Sequence, residues 1–315
     1  MGLAAVTELS LDWLAPFPVT IPLTLAVPRR GGGDPAFRSD ARGAVWRTSQ
    51  TPDGPATMRV SGHAAGAGTV VSAQAWGPGA RWLLDRLPAQ LGVHDDGRLP
   101  AASGPGSALL GDIARRHEGL RIGRTERVFE AFVPAVLEQK VVGKEAWRAW
   151  RILLHKFGSA APGPAPEGMR VFPPPAVWAR IPSWEWHRAG VEGVRAQTIM
   201  NAARVASRLE RVVTLGQREA DSLLRSLPGI GPWTSAEVRQ RACGDTDAVS
   251  VGDYHLPKAV GWTLAGERDT DDAGMLELLA PYQGQRYRVQ RLVELGGSTP
   301  PRRGPRMPIR DYRSF

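Results

Sequence analysis

Leu227-Pro228-Gly229-Ile230-Gly231 decides the fold of this chain, because it forms a tight turn between two segments of helical spacing. Leucines recur every three to four residues before the turn, as on one face of a helix. The proline and first glycine of the stretch end that helix. Pro232 then suits the first turn of a second helix. The pattern predicts a helix–hairpin–helix over residues 217–243.

Such a turn is suited to hold an anion. Its glycines allow close approach to the backbone, and the first N–H groups of the second helix attract negative charge. A DNA phosphate bound there would position the protein on the duplex without reading its sequence. An ordinary tight helical hairpin is the alternative explanation of the turn. The candidate DNA-binding residues of the hairpin are Leu227, Gly229, Ile230, Gly231 and Thr234.

An acidic residue, Asp253, follows the hairpin in the stretch Val251-Gly252-Asp253-Tyr254. The preceding apolar run ends at Gly252, so we expect Asp253 at or near the start of a helix. Its side chain could simply cap that helix. Its occurrence together with the hairpin favours a second interpretation, a carboxylate that acts on bound DNA.

These two blocks resemble the signature of the helix–hairpin–helix DNA glycosylases, a Gly/Pro-rich hairpin followed by an essential Asp. The matching stretches are Leu227–Ala236 (LPGIGPWTSA) and Val251–Tyr254 (VGDY). A third block, Phe129–Val142 (FEAFVPAVLEQKVV), resembles the family helix that leads into the DNA-facing loop. Within the superfamily, the chain most resembles the DNA-3-methyladenine glycosylase II family of alkylation repair.

The resemblance implies an enzyme that flips an alkylated or deaminated purine out of duplex DNA and hydrolyses its N-glycosidic bond. An abasic site is left, as in base excision repair. Asp253 is then the catalytic carboxylate, which stabilises positive charge on the sugar and helps to place a water. Relatives that also cut the strand carry a nucleophilic Lys just after the Gly-x-Gly turn. Trp233 stands at that position here, so no lyase activity is expected.

The same resemblance implies a base pocket formed by Trp233, Tyr254, Tyr282 and Glu237. An electron-rich ring such as that of Trp233 attracts a cationic alkylated purine, although plain packing between helices would also explain it. Glu237 replaces a family aromatic residue. An acid there could read a base edge, help to hold a cation, or face solvent.

Gln139 and Lys140 complete the candidate DNA-binding residues. The family inserts an apolar side chain, usually Leu, into the gap left by the flipped base, from the loop after the glutamine matched by Gln139. Lys140 can contact phosphates but is a poor hydrophobic wedge. The preferred lesion therefore stays open among 3-methyladenine, 7-methylguanine, hypoxanthine and bulkier adducts.

Two rival functions remain. A non-catalytic helix–hairpin–helix DNA-binding protein could use the same hairpin, but it would not need Asp253 at this spacing. A glycosylase of a different lesion class is the nearer rival. Mismatched-adenine enzymes usually carry iron–sulfur cysteines and oxidised-guanine enzymes a catalytic Lys, and this chain lacks both.

Composition agrees with a nucleic-acid partner. Lys and Arg number 40 against 31 Asp and Glu, giving a net charge of +9 that attracts phosphates. The one cysteine, Cys243, excludes an internal disulfide and a four-cysteine iron–sulfur cluster. Metal-ligand spacing is absent from the sequence, so no metal and no cofactor are expected. The hairpin backbone leaves room for a monovalent cation.

The expected partner is double-stranded DNA with a damaged base, bound by a monomer. No signal peptide or membrane-length apolar run is visible, so a cytoplasmic, nucleoid-associated setting is expected.

The predicted fold class is α+β. Residues 1–105 form a β-rich domain with a small antiparallel sheet, and residues 106–298 form a mostly α-helical helix–hairpin–helix domain. Residues 299–315 are a basic Pro/Arg-rich tail, which could be a DNA-binding arm, a strap on the core or a solvated end. Strands are predicted at 19–27, 44–48, 57–60 and 70–76, with a turn at 51–54 and a helix over 80–91.

The second domain is predicted to hold two helical subdomains, one near 110–225 and one combining the C-terminal helices. Pro/Gly/Ala-rich residues 158–168 are predicted to be a mobile loop. Helical spacing predicts helices at 107–117, 126–157, 176–188, 193–211, 217–227, 232–243, 254–264, 272–280 and 285–296.

Overall fold

A five-stranded antiparallel sheet opens the part of the chain that the computed structural model describes, residues 8–99 and 104–301. The proposed basic tail lies outside the described residues from 302 onward. Across the sheet the strands lie in the order β1, β5, β4, β3, β2. Their bounds are β1 (Glu8–Ala15), β2 (Phe37–Ser39), β3 (Val45–Thr51), β4 (Gly54–Ala65) and β5 (Gly68–Trp76).

Three short helices cover one face of this sheet: α1 (Ile21–Leu25), α2 (Ala80–Asp85) and α3 (Leu87–Gln90). Alternate strand residues such as Met58, Val60 and Val71 point into the core beneath them. At the turn between β3 and β4, Thr51 Oγ1 donates to the carbonyl of Gly54 at 2.8 Å. The predicted hairpin therefore forms where its Asp-Gly turn placed it.

The strand predicted at 19–27 is wrong, because Ile21–Leu25 form helix α1. Pro22 has no N–H to donate to a sheet ladder, but its fixed φ suits the first turn of a helix. The edge of the sheet is occupied instead by β1, which pairs with β5 from Glu8 to Ala15. The helix predicted over 80–91 forms as two pieces that part at Arg86.

The rest of the described chain is mainly helical, at the positions that the apolar spacing predicted. The long predicted segments are divided, for instance at Pro182, an extended residue that immediately precedes the helix Ser183–Ala189. A π-helical turn, Arg239–Cys243, follows directly on the helix Pro232–Val238. Two 3₁₀ turns occur at Glu210–Thr214 and Ala280–Tyr282. The helices are α4 (Ser107–Arg116), α5 (Val128–Leu137), α6 (Gly143–Phe157), α7 (Pro175–Trp178), α8 (Ser183–Ala189), α9 (Gly193–Arg204), α10 (Ala206–Leu209), α11 (Gln217–Arg225), α12 (Pro232–Val238), α13 (Leu256–Ala265), α14 (Asp272–Leu279) and α15 (Arg286–Gly296).

These helices pack around two apolar cores. The larger core is built on α5, which is buried along nearly its whole length. The smaller core joins α13, α14 and α15 to α4 through Leu110 and Ile113. Helix α4 thus packs with the C-terminal helices and not with residues 128–225, which corrects the expected first subdomain. Its two buried side chains find their apolar partners on elements more than 130 residues further along the chain.

The Pro/Gly/Ala-rich segment after α6 packs on the second face of the sheet, although a mobile loop was predicted. Its ends pair as a short ribbon, β6 (Ser159–Ala160) with β7 (Arg170–Val171). Trp46 and Trp76 stack with ring centroids 5.5 Å apart, and Met169 packs against both. Gly163 lies so close that an added Cβ would be 2.3 Å from Trp76 Cγ. This segment therefore joins the sheet to the helical part.

Candidate active site

The predicted helical hairpin forms from α11 and α12. Gly229 adopts φ +86°, and a Cβ there would lie 2.7 Å from Thr198 Oγ1, so conformation and space both require glycine. Ile230 is buried and donates its N–H to the Leu227 carbonyl at 3.2 Å. A Cβ on Gly231 would meet no atom within 4 Å. The outer side of the turn is therefore open to an approaching molecule.

Gln139 braces this turn from the end of α5. Its Nε2 donates to the Gly229 carbonyl at 3.0 Å and to Thr234 Oγ1 at 2.8 Å. Two predicted DNA-binding residues, Gln139 and Thr234, are thus bonded to each other within the protein. The neighbouring Lys140 is exposed and has a positive φ of 55°. It lies in the loop between α5 and α6, next to the braced hairpin.

Asp253 is held at both carboxylate oxygens. Oδ1 accepts the backbone N–H groups of His255 at 2.8 Å and Leu256 at 2.9 Å, at the start of α13. Oδ2 accepts the indole N–H of Trp233 at 3.2 Å. Asp253 therefore caps a helix, as one interpretation of the sequence expected, and also contacts the hairpin. Each oxygen of a carboxylate has two lone pairs, so Oδ2 keeps room for a second donor.

These two residues lie in a cleft of about 330 Å³ between the hairpin helix and α15. This volume is in the range of small-molecule sites. Side chains spaced one helical turn apart line the cleft from both sides, for example Trp233 and Glu237 on α12 and Tyr287 and Arg291 on α15. The lining residues are Val27, Glu138, Trp233, Glu237, Gln240, Arg241, Asp253, His255, Leu256, Ala259, Tyr287, Gln290, Arg291 and Glu294.

Glu237 is only 7% exposed and belongs to a hydrogen-bonded network in the cleft wall. Ser250 Oγ donates to its Oε1 at 2.7 Å, and Arg241 Nη1 lies 2.8 Å from its Oε2. Gln240 Nε2 in turn donates to Ser250 Oγ at 2.9 Å and to the Ala248 carbonyl at 2.8 Å. The alternative in which Glu237 merely faces solvent is therefore wrong.

Acidic groups outnumber basic ones around the cleft. Burial alone would lower the pKa of Arg241, but nearby anionic groups outweigh it and raise that pKa above its ordinary value. Burial also raises the pKa of Tyr287, against the opposing effect of Arg291 and Arg241. A positively charged ligand is favoured in this setting. Four carboxylates, Glu138, Glu237, Asp253 and Glu294, face two guanidinium groups, Arg241 and Arg291.

The structure brings together Trp233, Glu237 and Asp253, but it does not bring two of the predicted pocket residues into the cleft. Tyr254 is 69% exposed and packs against His255 and under the Nζ of Lys258. Because the Asp253 carboxylate turns back to cap α13 and meet Trp233, the next side chain is left outside.

Tyr282, at 0% exposed, is a core residue of the C-terminal helices. The 3₁₀ turn that carries it packs against α14 and α15, which buries the ring. Tyr287, at the start of α15, lines the cleft instead.

Most residues that α15 contributes to the cleft were not predicted from the sequence. Their signal is a polar stripe at helical spacing, Tyr287, Gln290, Arg291 and Glu294. Such a stripe usually marks a solvated helix face, and only the packing of α15 opposite the hairpin shows otherwise. Glu138 was also missed, although it precedes Gln139. It accepts the indole N–H of Trp147 at 3.1 Å and pairs with Arg30.

Within the two described ranges, no group of three or more His, Cys, Asp or Glu side chains is placed to hold a metal ion. Burial, with a smaller effect of Asp245, raises the pKa of Cys243 to about 12, so its thiol stays protonated. None of the helices in residues 8–99 and 104–301 is long and apolar enough to cross a bilayer.

No protein-family model matches the chain, and no curated protein matches its sequence. Among solved structures, a 3-methyladenine DNA-glycosylase from Archaeoglobus fulgidus superposes with a TM-score of 0.70 at 17% identity, covering 90% of this chain and 97% of that one.

An 8-oxoguanine glycosylase/lyase from Clostridium acetobutylicum, solved with DNA containing cytosine opposite 8-oxoguanine, gives a TM-score of 0.66 at 13% identity. It covers 93% of this chain and 97% of that one. At these identities the likeness shows a shared fold. The chain therefore shares the fold of these two solved glycosylases, which confirms the predicted α+β fold class and, at the level of the fold, the predicted resemblance.

Proposed function

We propose that this chain is a monofunctional DNA glycosylase. It takes an alkylated or deaminated purine flipped out of duplex DNA and hydrolyses the N-glycosidic bond, leaving an abasic site for base excision repair. The observation that carries the proposal is the Asp253 carboxylate, held by Trp233 and by backbone N–H groups in a cleft large enough for a purine. The fold shared with two solved glycosylases supports the same class of reaction.

The chemistry depends on charge at the sugar. When the base leaves, C1′ becomes positive, and a fixed carboxylate stabilises that charge as it develops. At about 4 Å and an effective dielectric constant of about 20 the attraction is about 4 kcal/mol, or roughly a thousand-fold in rate. The free lone pair on Asp253 Oδ2 can also orient the attacking water. An alkylated purine is already a good leaving group, so it needs little help from a general acid.

The cleft also suits the base itself. The Trp233 ring is fixed by its hydrogen bond to Asp253, and a cationic purine stacked on an indole gains cation–π attraction. The excess of carboxylates around the cleft adds to the attraction for a positive base. A cationic lesion is therefore favoured over a neutral, undamaged purine.

The residue types present support hydrolysis without strand cutting. A lyase needs an amine that forms a Schiff base with the sugar. Trp233 occupies the position after the Gly-x-Gly turn, and the described residues that line the cleft include no lysine. Lys258, the nearest in sequence after Asp253, is exposed and its Nζ lies 5.0 Å from the centre of the Tyr254 ring.

Binding to duplex DNA would use the hairpin and its surroundings. The open side of Gly231 and the first N–H groups of α12 can receive a phosphate. Lys140, exposed beside the turn, would add a phosphate contact where relatives place an apolar wedge. The net charge of +9 provides general attraction to DNA. A single copy of the chain suffices for this arrangement.

The test is single-turnover base release from duplexes that carry 7-methylguanine, 3-methyladenine or hypoxanthine, with oxidised-guanine and mismatched-adenine duplexes run beside them. Wild type is compared with Asp253→Asn and with the matched control Asp271→Asn. Asp271 caps α14 through Oδ1, which accepts the Gly274 N–H at 2.9 Å, and it does not line the cleft. We expect release that falls about a thousand-fold in Asp253→Asn and stays unchanged in Asp271→Asn. Alkali should be needed to reveal a nick.

Other outcomes separate the alternatives. Tight DNA binding without release of any tested base would favour a non-catalytic helix–hairpin–helix DNA-binding protein. Release confined to oxidised guanine or mismatched adenine would make it a glycosylase of another lesion class. Strand cutting without alkali would contradict monofunctional hydrolysis.

A further inference from the structure

Glu237 and Asp253 lie on opposite sides of Trp233 along one wall of the cleft. Glu237 follows Trp233 by one turn of α12, which separates their Cβ atoms by about 6 Å, and Trp233 is bonded directly to Asp253. A purine that stacks on Trp233 with its glycosidic bond at Asp253 therefore extends its far edge towards Glu237. The distance of about 6 Å between the Cβ atoms of Trp233 and Glu237 is comparable with the width of the purine ring system.

The network around Glu237 leaves its carboxylate as an acceptor of hydrogen bonds. Gln240 donates to both Ser250 Oγ and the Ala248 carbonyl, which orients its amide. Because Ser250 Oγ accepts from Gln240, its own hydroxyl proton is free to go to Glu237 Oε1. Arg241 holds Oε2. Each oxygen already receives one donor and keeps a second lone pair, so the side chain presents acceptors to the cleft.

Such a group discriminates between chemical groups on a base. An amino group on the base can donate to Glu237, and alkylation of the ring makes that amino group a stronger donor. A carbonyl oxygen at the same place would bring one acceptor against another, with no water between them. A buried polar group left unpaired in this way is strongly unfavourable.

We propose that Glu237 is a specificity-determining residue, which accepts a hydrogen bond from an exocyclic amino group of the flipped purine. The inference rests on the proposed glycosylase function and narrows it. Lesions that retain an amino group are the preferred substrates, and deaminated ones are poor substrates. Where the relatives have an aromatic residue, Glu237 provides a polar contact to one edge of the base.

The experiment measures single-turnover base release from two matched pairs of lesions in otherwise identical duplexes. The pairs are 7-methylguanine with 7-methylhypoxanthine, which lacks the amino group, and 3-methyladenine with 3-methylhypoxanthine, in which a carbonyl replaces it. We expect wild type to release the amino-bearing member of at least one pair about 10- to 100-fold faster, after correction for spontaneous depurination.

Glu237→Gln tests the residue itself, because it keeps the shape of the side chain and replaces one acceptor oxygen by a donor. In this variant, the ratio of the release rates for the amino-bearing lesion and its partner should fall towards one. Ser250→Ala removes a donor to Glu237 but keeps the carboxylate, so the preference should keep its direction. Thermal unfolding of both variants checks that the fold is intact.

Equal release of both members of both pairs by wild type would overturn the inference, even if Glu237→Gln failed to fold. An unchanged preference in a folded Glu237→Gln variant would overturn it as well. Absence of release from every lesion is a different result, since it would refute the proposed glycosylase function itself.

Discussion

Replacing Trp233 by phenylalanine removes one hydrogen bond from Asp253 and keeps an aromatic ring at the cleft wall. The indole Nε1 donates to Oδ2 at 3.2 Å, whereas backbone N–H groups at the start of α13 hold Oδ1 independently. Trp233→Phe therefore frees one carboxylate oxygen and leaves the helix cap intact. The variant keeps the carboxylate of Asp253 and tests only the contribution of the hydrogen bond that fixes its position.

The expected magnitude follows from that single bond. A hydrogen bond to a charged acceptor contributes about 1.5–3 kcal/mol. Asp253 is half-buried, so water can replace part of the lost bond, and the lower half of the range applies. Each 1.4 kcal/mol is about ten-fold in rate. Trp233→Phe should therefore slow base release about 10- to 50-fold, much less than removal of the Asp253 charge.

The assay is single-turnover release of 7-methylguanine over a range of pH, together with the Kd for a duplex that contains an uncleavable abasic-site analogue. The rate should fall while this Kd changes little, since the analogue has no base to stack on residue 233. Trp184→Phe is the matched control, because Trp184 is 63% exposed on α8 and outside the cleft. A folded Trp233→Phe variant that releases base at the wild-type rate over the whole pH range would refute the reasoning.

Three further outcomes concern parts of the fold around the cleft. Cys243 should resist iodoacetamide in the folded protein, because burial raises the pKa of its thiol from 9.0 to about 12. Since the thiol ionises more readily in the unfolded chain, the free energy of unfolding should fall as the pH rises from 9.0 to about 12, and Cys243→Ala should lessen that fall. Burial alone would raise the pKa of Asp247, but the hydrogen bonds and the positive charge of Arg286 lower that pKa below its ordinary value of 3.8. The resulting stabilisation is present above pH 3.8 and is lost as the pH falls through the folded-state pKa. The urea midpoint of Asp247→Asn should therefore depend less on pH in the acid range than the wild-type midpoint does. Gln139→Ala removes the two hydrogen bonds that brace the hairpin and should lower the free energy of unfolding by about 1–2 kcal/mol; an unchanged urea midpoint would contradict that role.

Features that depend on neighbouring residues could be predicted from the sequence. The hairpin is one, because leucine spacing, Pro-Gly and a following proline act locally on the backbone. The turn between β3 and β4 is another, since Asp53-Gly54 has the backbone freedom that the turn needs. The strand predicted at 19–27 failed because an apolar run alone does not distinguish a buried strand from a short buried helix.

Residues of the candidate site were predictable only where they lie close to a motif. Trp233 and Glu237 share the hairpin helix with the turn, and Asp253 follows in a recognisable context, so the sequence predicted these three residues, all of which line the cleft. Tyr282 was placed wrongly because an aromatic residue serves a core as well as a pocket, and its sequence neighbours do not decide between them. Only the packing of the C-terminal helices buries it and turns Tyr287 to the cleft.

The sequence by itself determined the helical hairpin, the helix that Asp253 caps and the positive charge of the chain, because backbone turns, caps and composition are properties of contiguous residues. Tertiary structure alone decided which acids and bases share the cleft. Glu138 and Glu294 come from distant parts of the chain and meet around Arg241 only when α5, α12 and α15 pack together. Charges interact through space, so the electrostatic character of the cleft is set by that packing.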